Sequence, residues 1–295
     1  MGDIMKRQTS IFLKTVGITS VICFIVLGAI YISISSPKPK NNSSLIAKKE
    51  FEPSESDKFT ILVSLSQSSD RVPYSYFLIG FNGEKNTVSV SRLFGNTILS
   101  EKKESSVIAS EVYSRGGVDG VLECINRFFG LDIKSYIEFT DSTVVPFFDM
   151  HKNIVLDCPQ KINEADSDRD VYIALDSGRQ AFSGVMLKDY LCVTTFEGGD
   201  NEALYESSRA VCEFIRQNHR AFSLKEGNSV SYILEKCRHN LSVYDIEKRR
   251  ELIEFLLYSS GESVCFYACT GESEKMNTAF RLDLKSKETV RERYS

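Results

Sequence analysis

The chain has 295 residues, a formal net charge of −4 and 42% hydrophobic residues. This acidic balance excludes a general nucleic-acid binder, which needs a basic surface to displace counterions. Trp is absent, but 19 Phe and 13 Tyr are enough for the core of one sizeable domain.

The first predicted element is a membrane span. No charged residue occurs between Lys14 and Lys38, and Val16 to Ile34 is dense in Ile, Val, Leu and Phe. A helix needs about twenty apolar residues to cross a bilayer. The apolar run exceeds the roughly seven to fifteen residues of a signal-peptide core, and no small-x-small site follows it. It therefore reads as an uncleaved anchor. The expected division is a short tail over 1–14, a transmembrane helix over 15–36, a flexible linker over 37–57, a domain over 58–271 and a polar, loose tail over 272–295. Lys6, Arg7 and Lys14 precede the span, and Lys38, Lys40, Lys48 and Lys49 follow it. Taken alone, these charges slightly favour a cytoplasmic body.

The linker is rich in Pro, Lys, Asn, Ser and Glu and has no apolar period. Phe59 to Leu65 then reads as a buried strand. Tyr74 to Phe81, Asn82-Gly83 and Thr87 to Arg92 read as a hairpin. After Gly116-Gly117, Val118, Val121, Leu122, Ile125, Phe128 and Phe129 share one helical face, and Gly130 suits its end. Tyr136 to Phe139 predicts a strand, Asp141 a cap for a short helix through Phe148, and Asn153 to Leu156 and Val171 to Leu175 further strands. Helices are expected after Asp200, over Ser229 to Arg238, and from Ser242 to about Tyr258, where Ser242 and Asp245 resemble a capping box. Ser263 to Cys269 closes the series as a strand. The alternation predicts an α/β or α+β sandwich, with helices covering a mixed sheet.

Of 8 Cys, Cys23 falls in the span, and the other seven are scattered without paired spacing. Cys265 and Cys269, about 13 Å apart in an extended strand, are too far apart to bridge. They read as small buried apolar residues. Walker A, G-x-G-x-x-G, H-E-x-x-H and G-x-S-x-G motifs are all missing. His151, His219 and His239 sit in polar helix-end or loop contexts.

The order of elements resembles the LytR-CpsA-Psr proteins of bacterial envelopes over roughly Lys58 to Gly271. The resemblance is carried by Gly116 through Cys158, by Gly178-Arg-Gln-Ala-Phe-Ser-Gly184, and by His239-Asn-Leu-Ser-Val-Tyr-Asp245. It implies a single-pass protein of the cytoplasmic membrane with its body on the extracytoplasmic face, against the charge count. It also implies a polyprenyl-pyrophosphate-linked glycan as ligand, peptidoglycan as acceptor, and Mg2+ or another divalent metal as cofactor. Pyrophosphate calls for arginines, the metal for carboxylates, and the lipid for an apolar tunnel.

The match is incomplete where that chemistry lies. Arg92 keeps the arginine of the family's I-P-R-D strand end, but Leu93 stands in place of the metal-binding aspartate. Tyr74 takes the place of a second aspartate. Tyr190 to Thr194, with Cys192 at its centre, aligns with a basic run and holds no arginine. Asp200 survives at a later helix start, with Arg209 further along. Two readings follow. In one, a divergent glycopolymer phosphotransferase uses Arg92 on pyrophosphate, with Asp70 and Asp200 as substitute metal ligands. In the other, a non-catalytic relative binds polyprenyl lipid or envelope proteins and modulates wall assembly. On plain structural grounds Asp200 is a helix N-cap, Arg71 is solvated, and Lys248-Arg249-Arg250 is the wet face of a helix.

Overall fold

The computed structural model of the protein describes residues 51–295, apart from 55, 102–105, 168–169, 223–227, 259–260 and 275–278. The stretch read as an anchor, and the linker up to residue 50, lie outside the described residues. Among the described residues no helix is long and apolar enough to cross a membrane. The end of the expected linker is held in place: Phe51 packs edge-on against Phe255, with ring centroids 5.7 Å apart.

The first half runs β1 (Lys58–Ser66), β2 (Ser75–Asn82), β3 (Thr87–Phe94), α1 (Ala109–Phe129), β4 (Ser135–Thr140), α2 (Asp141–Asp149), β5 (Ile154–Cys158), β6 (Ile162–Asp166), β7 (Val171–Leu175) and β8 (Gly178–Phe182). The second half runs α3 (Gly184–Cys192), α4 (Gly199–Gln217), α5 (Ser229–Lys236), β9 (Arg238–His239), α6 (Val243–Tyr258), β10 (Val264–Phe266), β11 (Gly271–Ser273), β12 (Phe280–Leu282) and α7 (Leu284–Tyr294). Six strands form one mixed sheet in the order β10-β3-β2-β1-β4-β9. β1 pairs antiparallel with β2 and parallel with β4, and β10 joins β3 in parallel. The predicted mixed α+β architecture is thus observed.

Side chains alternate across the sheet because successive Cβ atoms point to opposite faces. Val63, Leu65, Phe77, Val88 and Val90 face one core, shared with residues of α2, α3, α4 and α6. Leu62, Tyr76, Leu78 and Leu93 face the other, shared with α1 and α7. β5 with β8, and β6 with β7, form two separate antiparallel ribbons.

Several local expectations hold. The hairpin pairs Asn82 with Thr87, its turn using Asn86 at φ 48. Gly130 ends α1 at φ 69, with its N–H on Asn126 O. The Ser242–Asp245 box forms in both directions. Others change. α1 starts at Ala109, and Gly117, at φ 61, is a break inside it rather than its opening. Thr140, not Asp141, caps α2, through a reciprocal box with Thr143. Asp200 lies in the first turn of α4 behind the cap residue Gly198. The Gly178–Gly184 segment is a strand followed by a helix cap.

The described residues of the polar segment after Gly271 are folded. β11 and β12 pair, and α7 drops Val290 and Tyr294 into the second core. The Tyr294 hydroxyl donates to Ser91 Oγ at 2.8 Å. Only a narrow stripe of α7 is apolar, so its composition disguises its packing.

Candidate functional site

Between the first face of the sheet and helices α2 to α6 lies an apolar cavity of about 200 Å³. β1 supplies its floor with Phe59, Ile61, Val63 and Leu65, the alternate residues of one strand. Aromatic residues of α2 and α4, including Phe147, Phe148 and Phe214, form part of the opposite wall. Seven free cysteines occur among the described residues: Cys158, Cys192, Cys212 and Cys269 are buried, as the small-apolar reading expects, whereas Cys124, Cys237 and Cys265 are part-exposed.

A buried polar cluster lies at the Leu65 end. Arg92 follows Val88 and Val90 on the same face of β3 and stands directly across from Phe77, which lines the cavity. Only 3% of Arg92 is exposed. Its Nε donates to Ser75 Oγ at 2.7 Å, its Nη1 to Ala203 O at 3.3 Å and to Ser207 Oγ, and its ring neighbour is Phe94 at 4.9 Å. These partners are all neutral. Burial pulls the guanidinium down to about 10, against the Cys192 thiol and Tyr74 hydroxyl, which favour its charged form.

Cys192 and Tyr74 complete the link to α2. The Tyr74 hydroxyl donates to Asp141 Oδ1 at 3.1 Å and also contacts the Cys192 sulfur. Burial pushes the Cys192 thiol up to about 11, so it is a protonated, inert group. Beyond them, Lys188 Nζ lies 2.6 Å from Asp189 Oδ1 and 3.7 Å from Asp141 Oδ2, and donates to Asp170 O at 2.7 Å. Burial opposes the Lys188 charge, but Asp189 and Asp141 outweigh it and hold the ammonium above its ordinary value. Burial likewise raises Asp141, despite Lys188 and Tyr74.

Three positions that the family resemblance aligned with charged groups, 74, 92 and 192, therefore meet in space. Leu93 points into the opposite core, so it is not a vacant ligand position of this cluster. Arg209 is occupied elsewhere: its guanidinium grips Glu206, which also accepts from Tyr190 at 2.6 Å. Asp70 sits on an exposed loop with the Ser68 hydroxyl on its carboxylate, and Asp200 accepts from Ser273. Asp141, Lys188 and Asp189 were missed as site residues. The signal was there, a charged pair inside the apolar run from Leu187 to Leu191.

The divalent metal implied by the resemblance does not fit these residues. Asp141 and Asp189 both face the Lys188 ammonium, so their oxygens are already engaged by a cation. A divalent ion needs several oxygen ligands of its own. Among the described residues no group of three or more His, Cys, Asp or Glu is arranged to hold one.

No family model matches the sequence, and no curated protein does. Solved structures do match. A protein of Eubacterium siraeum described as a transcription regulator is 22% identical over 82% of this chain and 93% of its own, with a TM-score of 0.72. TagV of B. subtilis is 16% identical over 80% of this chain and 94% of its own, with a TM-score of 0.60. TagT bound to LI-WTA is 15% identical over 83% of this chain and 92% of its own, also at 0.60. TagV and TagT are LytR-CpsA-Psr proteins. The chain has the LytR-CpsA-Psr fold. Within that fold, the apolar cavity and the buried cluster at its end are the candidate site.

Proposed function

We propose that the protein is a LytR-CpsA-Psr-fold envelope protein that holds the chain of a polyprenyl-linked glycan without transferring it. The observation that carries this is the apolar cavity between sheet and helices, lined along the length of β1. Burying a long isoprenoid chain there is favourable by roughly 25 cal/mol per Å² of apolar surface removed from water. TagT with LI-WTA bound supports the choice of ligand. The closed polar cluster supports the lack of transfer. Arg92 is bound by neutral protein groups, and Lys188 by two carboxylates, so neither cation is free for pyrophosphate. The uncharged stretch over 15–36 tethers the domain to the cytoplasmic membrane, with the body on the outer face beside peptidoglycan and envelope proteins.

The test uses the full chain in detergent with a polyprenyl-pyrophosphate glycan, with and without magnesium. The expected result is saturable binding and no release of polyprenyl phosphate. Magnesium-dependent release would establish the divergent transferase instead. No binding at all would leave a protein-interaction role.

A further inference from the structure

Helix α6 has an inward and an outward stripe. Ile246, Arg249, Ile253 and Leu257 recur every three or four residues and line the cavity. Arg249, in the run expected to be a solvated helix face, is part-buried there, its guanidinium 4.4 Å from the Phe59 ring centroid. On the other side, Tyr244, Lys248, Glu251 and Phe255 fall within about 60° of one another around the helix axis.

Aromatic groups mark both ends of the outward stripe. Phe255 at one end carries Phe51, edge-on at 5.7 Å. At the other end, about 17 Å along the helix, Tyr244 is 74% exposed and its neighbour Val243 67%. Ser242 and Asp245 close that first turn in their reciprocal box, so Val243 and Tyr244 stand on a fixed turn rather than a fraying end. Between the two ends Lys248 and Glu251 are exposed, and Glu247 is paired with Arg250. Phe51 is also where the chain enters the domain, and the segment behind it is pinned to the β2–β3 turn, where Gly83 N–H donates to Asp57 O at 2.9 Å. The sequence between the expected span and Phe51, 37–50, has 14 residues, and a coil of that length covers roughly 20 Å on average. The Phe255 end of the stripe is thereby tied close to the bilayer that takes the span.

We propose that the outward stripe of α6 is the face on which the domain lies against the bilayer, with Val243 and Tyr244 seated at the boundary between headgroups and acyl chains. This rests on the membrane tether of the reading above. A tyrosine brings an apolar ring for the acyl edge and a hydroxyl for the headgroups. Lys248, one turn further along, lays its stem on the same boundary and keeps its ammonium at the level of the lipid phosphates. The tether holds one end of the stripe and the inserted pair holds the other. Two attachment points give the domain one orientation on the membrane, which a tether alone does not.

The chain has no Trp, so a single introduced indole reports alone. The test places Tyr244→Trp, in the full chain, in vesicles of phosphatidylcholine and phosphatidylglycerol, with and without brominated acyl chains. A ring seated roughly 5–10 Å into the boundary is quenched by bromine at least about twofold, and its emission moves to shorter wavelength. Tyr172→Trp is the control: Tyr172 is 60% exposed on β7 and held to α3 by its N–H on Asp189 at 3.3 Å, and its indole is not quenched. Adding Val243→Asp to Tyr244→Trp abolishes the quenching and returns the emission to longer wavelength. Equal quenching at both positions, or none at 244 in a chain that co-floats with the vesicles, overturns the docking face. So does an indole at 244 that is shifted to shorter wavelength but unquenched, because a second copy or another protein then covers it. If the chain does not co-float at all, the tether reading falls as well.

Discussion

Val63→Phe should both stabilise the domain and block the ligand. Val63 lies midway along β1 with its side chain lining the cavity. About 200 Å³ of this partly open cavity is unfilled, and the roughly 24 cal/mol per Å³ of a sealed void sets an upper bound of about 5 kcal/mol on the packing it lacks. A Phe at position 63 occupies about a quarter of that space and recovers about 1 kcal/mol. The β-strand site suits an aromatic residue, so no propensity penalty opposes the gain. Urea unfolding should show a higher midpoint at unchanged slope, and Tm should rise by about 2–4 °C. Affinity for a polyprenyl lipid should fall more than about tenfold, since the ring blocks the path from Phe59 to Leu65. A destabilised variant that binds lipid as before would refute the reasoning, because the cavity would then be neither void nor binding site.

Lys188→Met leaves Asp141 and Asp189 without their buried cation and should cost about 3–5 kcal/mol in urea unfolding at neutral pH. In the wild type, Lys188 is raised above its ordinary value of 10.5. Its contribution is therefore complete below that pH and lost as pH climbs through the higher folded value, which a urea series in alkaline buffers would show. Tyr294→Ala should cost about 3–5 kcal/mol, since it empties a fully packed site and removes the hydroxyl that donates to Ser91 Oγ; a change below about 0.5 kcal/mol would mean that α7 is detached.

Much of the fold was legible because its signals are local. The apolar runs of β1 and β2, the Asn82-Gly83 turn, Gly130 and the Ser242 box all act within a few residues. The cluster was only half legible. Arg92 stood out as a strand-end arginine, whereas Lys188 and Asp189 acquire their role only when α3 packs beside α2 and Asp141. Asp70 and Asp200 were plausible ligands by position, but the fold gives each a hydroxyl partner at a different place. Arg249 belonged to a basic run on an exposed-looking helix. Its burial follows from Phe59, nearly two hundred positions away in the chain, and no periodicity within α6 could reveal that.

The central claim is a lipid-holding domain that has lost transfer chemistry. Its most direct test follows a radiolabelled polyprenyl-pyrophosphate glycan on the full chain, with magnesium and with a chelator. The account predicts stoichiometric binding that is equal in both conditions, with the pyrophosphate intact throughout. Turnover that requires magnesium, or binding that the chelator abolishes, would contradict it.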